Sequence, residues 1–471
     1  VRVFVVIEHA EQAIEAHVNA RWLDHRRFER VQRDTGLVDL VKNVAIRKQH
    51  MMKLAHESRY GEAMPLTRGA RVRAILLGLL LTVGLISLPV VLSLPAIVEG
   101  SMNKIDQFDY DKAAKLEATG ADLHQKLTVV DMHADTLLWD RDLNEWSGRG
   151  HVDVPRLQHG NVAIQVFSSV SKTPKGQNYK SNSADSDNIR LLSIVQRQPR
   201  RTWNSPFERS MFHAEKLKKA AKASDGNLLL IRNRGDLADV LAAREKHSQT
   251  ALEGESPAPV GALFSVEGLH NLEGKIENVQ KLYDAGMRMA GFTHFFDNEV
   301  AGSMHGEKKG GLTPFGEEVF NELQRLGVIV DIAHASPAAV DDILDRATKP
   351  VVSSHGGVQG TCMENRNLSD EQIRRVAATG GVIGVGYWDA AVCDTTPKAV
   401  VDAIDHVVKI GGVQTAALGS DYDGAVTVGW DTTQLSMITG ELLNRGYTET
   451  DIALIMGGNT LRVFNDVLPE E

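Results

Sequence analysis

From residue 105 to the end of the chain, short apolar runs alternate with amphipathic stretches. Runs rich in Val, Ile, Leu and Ala occupy 127–131, 161–168, 261–266, 288–293, 327–333, 350–354, 381–387 and 415–420. Each has the length of a buried strand. Between most of them, apolar residues recur at helical spacing, as in IENVQKLYDAG, PFGEEVFNELQRLG and SPAAVDDILDRA. Eight strands with intervening helices predict an α/β fold, a (β/α)8 TIM-type barrel over residues 120–471. The interval 169–260 is too long for one crossover, and predicts two or three helices with loops at TPKGQNYKSNSADSD and GESPAPVG. A short helix is expected over 105–127, and further helices outside the barrel over 431–466. The alternative is an open doubly wound sheet. GGLTPFG at 310–316 neither follows a strand nor has the spacing of a phosphate loop, which favours the barrel.

Upstream the pattern changes. Residues 74–98, AILLGLLLTVGLISLPVVLSLPAIV, carry no charge over 25 positions, enough to span a bilayer. Pro89 and Pro95 are tolerated in a membrane helix. Arg68, Arg71 and Arg73 precede the run, and Glu99 and Asp106 follow it. The positive-inside rule then puts residues 1–73 in the cytoplasm and exports the barrel. No clear A-x-A site follows the apolar run, so a single-pass, uncleaved anchor in a bacterial-type inner membrane is expected, with a periplasmic barrel. A cleaved signal and a buried soluble helix are the alternatives. The chain begins with Val, and Met64 opens MPLTRGARVRA, which resembles the charged start of a signal-anchor. The expectation is a natural start at Met64, with much of 1–63 an upstream extension of the frame. The alternative is a small helical cytoplasmic region.

Composition narrows the function classes. A chain of 471 residues has room for a large domain plus an appendage, and 41 glycines suit a barrel with many tight turns. A net charge of −9 argues against a general nucleic-acid binder. Only Cys362 and Cys393 are present, so a structural zinc finger is excluded. In an exported domain these two thiols are expected to pair, because they follow neighbouring strands six and seven. The bond would close a loop of about 30 residues, contribute roughly 3–4 kcal/mol, and tether the loop that carries Arg366. Two independent buried thiols are the alternative.

Metal-ligand residue types sit at the ends of the apolar runs. They are His133 and Asp135 in TVVDMHAD, Glu267 in ALFSVEG, His334 in GVIVDIAHA, His355 in PVVSSHGG and Asp421 in AALGSDYDG. The carboxyl ends of parallel barrel strands converge on one face. Three imidazoles and three carboxylates gathered there would build a site for two divalent metals, able to make hydroxide from water and polarise a carbonyl. His133 and Asp135, two apart, share a face by strand periodicity and can share one metal. Glu267, a buried carboxylate in need of cations, is the natural bridge between two metals. His334 and His355 end consecutive strands and can share the other metal. Asp423 lies on the same face as Asp421 by periodicity, so the pattern does not choose between them. His294 in GFTHF is a candidate to stabilise an oxyanion. Arg366 in ENRNLSD has the planar fork that accepts a substrate carboxylate. Each alone has a structural alternative: a packed histidine, a surface-loop pair or an ion pair.

Taken together and in order, DMHAD, SVEG, GFTH, VDIAHAS, VSSHGG, RNLSD and GSDYDG resemble the membrane dipeptidases, also called renal or microsomal dipeptidases, of the metal-dependent amidohydrolase superfamily. The resemblance covers about residues 120 to 467. It implies a binuclear zinc site in a distorted barrel. His133 and Asp135 would hold one zinc with Asp421 close by, His334 and His355 would hold the other, and Glu267 would bridge. It also implies that His294 and Arg366 bind substrate, and that Asp421 takes the proton of the attacking water. The loop FFDNEVAGSMHGEKKG departs from the mammalian form, which leaves side-chain preference open.

The combined expectation is a membrane-anchored zinc dipeptidase. Asp421, His294 and Glu267 would be catalytic, and His294, Arg366 and Asp421 would contact the dipeptide. The expected partners are the dipeptide, the inner membrane through residues 74–98 and a second copy of the chain in a family-like homodimer, with no nucleic acid. The rivals are another amidohydrolase reaction, on an N-acyl amino acid or a lactam, and a non-catalytic membrane-anchored binding protein.

Overall fold

The computed structural model describes residues 67–250 and 257–470. The expectations for residues 1–66, including the start at Met64, lie outside the described residues, as does part of the GESPAPVG loop. The chain divides into two compact units, Val1–Val90 and Val91–Glu471. In the first unit the described residues form the beginning of one helix, Arg68–Met102, where the Thr67 hydroxyl accepts from the Ala70 N–H at 3.3 Å.

The expected anchor, 74–98, falls inside this helix, and most of its side chains up to position 90 lie outside the described residues. Among the described residues no helix is long and apolar enough to cross a membrane. The last part of the run belongs to the second unit. Pro95 is buried, and its carbonyl accepts from Gln196 Nε2 at 3.1 Å. Glu99, expected as a polar flank, is fully buried and gripped by Arg141 and Arg149. These contacts tie positions 95–99 to protein, so a lipid-facing segment would have to end before them. The second unit starts at Val91.

All eight expected strands form: β1 Val129–Ala134, β2 Val162–Phe167, β3 Val260–Glu267, β4 Met287–Gly291, β5 Ile329–Asp331, β6 Val351–Gly356, β7 Val382–Val385 and β8 Ala416–Leu418. They pair in parallel in this order, and β8 returns to β1 through Leu418 opposite Asp131. The result is a closed barrel with no sheet edge around its ring. A short strand, Leu228–Leu230, adds to the start of β3.

The strands are buried on both faces, which is why they read as continuous apolar runs rather than alternating ones. Alternation survives in which core each side chain joins. Val130, Ile329, Val352, Val382 and Ala417 belong to one cluster with Val463 and Phe464 of the C-terminal helix. Their neighbours Val129, Val330, Val351, Ile383 and Ala416 join the larger cluster with the surrounding helices.

Helix boundaries follow local chemistry. Pro314–Leu326 opens with Thr313 accepting from the Gly316 N–H, carries Pro at its first turn and ends at Gly327 in the left-handed region. Asp370–Ala378 starts with a capping box between Ser369 and Gln372. Among the described residues, the long interval after β2 holds the α-helices Asn188–Val195, Pro206–Ala223 and Arg234–Thr250. Cys362 and Cys393 form a disulfide with their Cα atoms 5.4 Å apart.

Candidate metal centre

The strand ends place the chemistry. His133 lies in the last turn of the pleat in β1, and Asp135 follows directly. Glu267 is the last residue of β3, and His355 lies within β6. His294, His334 and Asp421 each come three residues after the end of β4, β5 and β8. His334 and Asp421 both hold left-handed backbone, with φ of 63° and 59°. A non-glycine residue is strained there, and such strain persists where the surroundings over-determine it, often at functional sites.

All eight expected residues converge at one barrel mouth. Asp135, Glu267, His294, His334, Arg366 and Asp421 line a single cavity of about 530 Å³, and the ring nitrogens of His133 and His355 lie 3.9 Å from Asp421 and 3.3 Å from Glu267 beside them. His133 Nε2 is 3.6 Å from Asp135 Oδ1, 3.8 Å from Glu267 Oε1 and 3.9 Å from Asp421 Oδ1. Glu267 Oε1 is also 3.0 Å from His334 Nε2 and 3.3 Å from His355 Nε2. Its other oxygen is 3.5 Å from His294 Nε2. Glu267 is therefore the hub of four imidazoles.

The donor set suits divalent cations. His133 Nε2 and Asp135 Oδ1 are buried with no hydrogen-bond partner in the structure. An orphaned buried nitrogen facing three carboxylates is costly without a cation between them. Ligand atoms of His133, Asp135 and Glu267 lie within 4.8 Å of one another, as do those of Glu267, His294 and His334, and those of His133, His355 and Asp421. The second group puts His294 closer to the metal-ligand cluster than the sequence reading did.

Residues 117–469 match the membrane dipeptidase family, peptidase family M19. The chain belongs to this family. It is 32% identical over 223 residues to the dipeptidase aclJ of Aspergillus oryzae, covering 45% of this chain and 53% of that protein. It is 31% identical over 215 residues to an uncharacterized dipeptidase of Schizosaccharomyces pombe, covering 44% and 53%. The chain thus spans about half the length of the curated relatives it matches. Among solved structures, it resembles the probable dipeptidase PvdM of Pseudomonas aeruginosa with a TM-score of 0.61 and 19% identity, over 75% of this chain and 98% of that one. A metallo peptidase from Rhodobacter sphaeroides, liganded with a phosphinate mimic of the dipeptide L-Ala-D-Ala, gives a TM-score of 0.57 and 19% identity, over 72% and 99%. These likenesses establish a shared fold.

In this dipeptidase-family barrel, electrostatics accord with the donor set. Burial opposes a charge on His133, but Glu267, Asp135 and Asp421 outweigh it and hold the imidazole up at about 10. Three carboxylates facing one imidazole make the mouth attractive to positive charge, and a metal ion bound there would take the place of the His133 proton. Burial keeps His334 and His355 well below the usual imidazole range, hence neutral, which is the ligating form. Burial, with Asp135 and Glu267, pushes the Asp421 carboxyl well above its usual range.

Two supporting carboxylates were not anticipated from sequence. Asp131 accepts from the His133 N–H at 3.0 Å and the Ser420 N–H at 3.0 Å, joining the ends of β1 and β8. Asp331 accepts from the Ala333 and Ser354 N–H groups at 2.9 and 2.8 Å, and from Ser354 Oγ at 2.5 Å. Ser354 Oγ in turn lies 2.9 Å from His355 Nδ1, which leaves His355 Nε2 to face Glu267. The available signal was a lone Asp inside each apolar run, VVDMH and IVDIAH.

Arg366 is buried and stacks on Trp388, with its carbon 4.4 Å from the ring centroid. Its Nε has no partner. Among the described residues no carboxylate lies within ion-pair distance of it. The divergent loop after β4 is held closed by Asp297, which accepts from the Ser303 N–H at 2.9 Å and the Lys308 N–H at 2.6 Å. A Cβ at Gly306 would strike that carboxylate. The loop places His305 against Phe295, which walls the cavity.

Proposed function

We propose that this chain hydrolyses dipeptides with two zinc ions as cofactor. His133, Asp135 and Glu267 would hold one ion, with Asp421 beside it. His334, His355 and Glu267 would hold the other. When bound, the ions would supply a nucleophilic water at neutral pH and polarise the scissile carbonyl.

The carrying observation is Arg366. A buried guanidinium without a carboxylate partner needs an anion, and its fork matches a carboxylate. A free peptide C-terminus supplies one, which makes the site measure a dipeptide. His294, whose Nε2 lies 3.5 Å from Glu267 at the edge of the metal-ligand cluster, would donate to the carbonyl oxygen as charge develops there. Asp421 accepts a proton from the attacking water and returns it to the leaving amine. Its place in the cavity, with Oδ1 3.9 Å from His133 Nε2, suits a group that moves a proton beside the metal-ligand cluster. The dipeptide mimic bound to the Rhodobacter sphaeroides neighbour supports the same substrate class. The disulfide supports an oxidising, extracytoplasmic location for the barrel. The uncharged sequence upstream of Pro95 supports attachment to a bacterial-type inner membrane.

The test compares free-acid dipeptides with their amides on the full chain loaded with Zn²⁺. Free acids should be hydrolysed and amides should be poor substrates. Arg366→Ala should lower kcat/KM by about 2–5 kcal/mol in transition-state terms, the scale of a lost buried charge pair. Equal turnover of acid and amide would remove Arg366 from this role. N-acyl amino acids in the same panel separate the rival hydrolase reading.

A further inference from the structure

The cavity is larger and more apolar than a metal centre requires. Its charged lining residues, Asp135, Glu267, Arg366 and Asp421, all belong to the metal-ligand and substrate-carboxylate end. Away from them, Val98, Met102, Leu138, Ile189, Leu192 and Val195 form an apolar stretch of wall, with the uncharged polar groups Thr173, Gln177, Tyr179 and Asn188 also lining the cavity. A volume of about 530 Å³ lies in the range that holds a drug-sized ligand, more than two small residues fill.

Barrel order gives this wall a direction. Arg366 follows β6. Leu138 follows β1, and Ile189, Leu192 and Val195 lie on the helix after β2. In a ring of eight, β2 lies opposite β6. A substrate with its carboxylate at Arg366 and its carbonyl at the metal-ligand cluster therefore points its acyl side at the apolar wall. The end of the helix Arg68–Met102 adds Val98 and Met102 to the same wall. At the mouth, Leu191 lines the cavity while 67% exposed, and Met102 while 36% exposed. Apolar side chains left in water around a cavity mouth gain by being covered.

We propose that the acyl side of the substrate carries an extended aliphatic group that runs from the metal centre to Leu191 and Met102. The inference rests on the hydrolase reading of the site. Two sources share this chemistry: the side chain of an amino-terminal residue in a dipeptide, and the acyl chain of an N-acyl amino acid.

The experiment measures kcat/KM on the zinc-loaded full chain for two series ending in alanine. One carries amino-terminal residues with linear side chains of one to eight carbons. The other carries N-acyl groups of two to ten carbons. The expected result is a rise of about fourfold per methylene until the chain reaches the mouth, carried mainly by KM. In Leu191→Asp, the ratio of the longest to the shortest substrate should fall at least tenfold, with the melting temperature unchanged because this side chain is exposed. A length-dependent rise in the dipeptide series supports the proposal and the dipeptidase reading together. Turnover of the N-acyl series alone, rising with length, supports the proposal and overturns the dipeptidase reading. Turnover independent of length, or a ratio that Leu191→Asp does not change, overturns the proposal while leaving hydrolysis intact. Absence of turnover in both series overturns both.

Discussion

Asp421 and Asp423 stand two residues apart with the same left-handed backbone, yet they serve different partners. Asp421 lines the cavity, with Oδ1 3.9 Å from His133 Nε2. Asp423 turns away into a buried network. It accepts from Thr136 Oγ1 at 2.7 Å, from the His151 N–H at 2.6 Å and from Arg141. Burial alone would raise its carboxyl, but Arg141 and His151 hold it below the usual range. Asp421→Asn should therefore abolish turnover with little loss of stability. Asp423→Ala should destabilise by about 3–5 kcal/mol, because Arg141 is left buried and short of a partner. Turnover assays and denaturant unfolding on both variants separate the roles. Equal loss of stability in both would contradict this division.

Glu267 makes the sharpest metal prediction. One of its oxygens lies within 3.3 Å of both His334 and His355 Nε2, and within 3.8 Å of His133 Nε2. Active protein should hold about two zinc equivalents. Glu267→Gln should lower occupancy of both sites, since each lacks the shared charge. Chelation should also lower the melting temperature, as loss of any ligand bound only to the folded state does. Metal analysis decides: one equivalent at full activity would overturn the binuclear reading.

The barrel was legible because its strands are buried on both faces, so each appears as a compact apolar run. The ligand types were legible because strand ends are where such runs stop. Period-two reasoning failed just beyond those ends. Asp421 and Asp423 are not in a strand, and their positive φ values break the alternation that would have put them on one face. Asp131 and Asp331 were missed because an acidic residue inside an apolar run reads as a blemish in the pattern, whereas each collects backbone N–H groups from the adjoining strand end. Glu99 was misread for a different reason. Sequence shows that an acidic residue follows an uncharged run, and only packing shows that the run's end is docked on protein.

That docking gives a stability prediction. The Glu99 carboxylate is fully buried, accepting from Arg141 Nε at 2.7 Å and Arg149 Nε at 2.6 Å. Arg141 continues the network to Asp423. Nearby, Lys104–Ile105 pairs in parallel with Thr427–Val428, so the segment after the helix is also tied to the loop that follows Asp423. Glu99→Ala should cost about 3–5 kcal/mol, the scale for breaking a buried pair. A chain begun at residue 101 should show a comparable loss. Glu99→Gln, which keeps hydrogen-bond acceptance at one oxygen, should cost less. Unfolding midpoints that match the parent in all three would show that the helix end does not support the barrel.

His213 supplies a pH prediction away from the metal-ligand residues. It is fully buried, and its two nitrogens meet Ser169 Oγ at 2.8 Å and Gln198 Nε2 at 3.2 Å. The Gln198 amide donates, so His213 Nε2 accepts and its Nδ1–H is left to donate to Ser169. A second proton would set two N–H groups against each other. Burial first, then Lys216 and Arg209, push the imidazole down to about 3. The unfolded chain binds this proton near the ordinary value of 6.5, so below that pH the unfolded state gains protons that the folded state refuses. The contribution is therefore fully present above pH 6.5 and is lost as pH falls from there toward about 3. The expected slope is roughly 1.4 kcal/mol per pH unit. His213→Asn removes the titration while other acid effects stay common to both proteins. The stability difference between parent and variant, from denaturant unfolding at pH 7.5, 6, 5 and 4.5, should shift steadily against the parent as the medium is acidified. Parallel curves over that range would show that His213 takes up a proton within the fold.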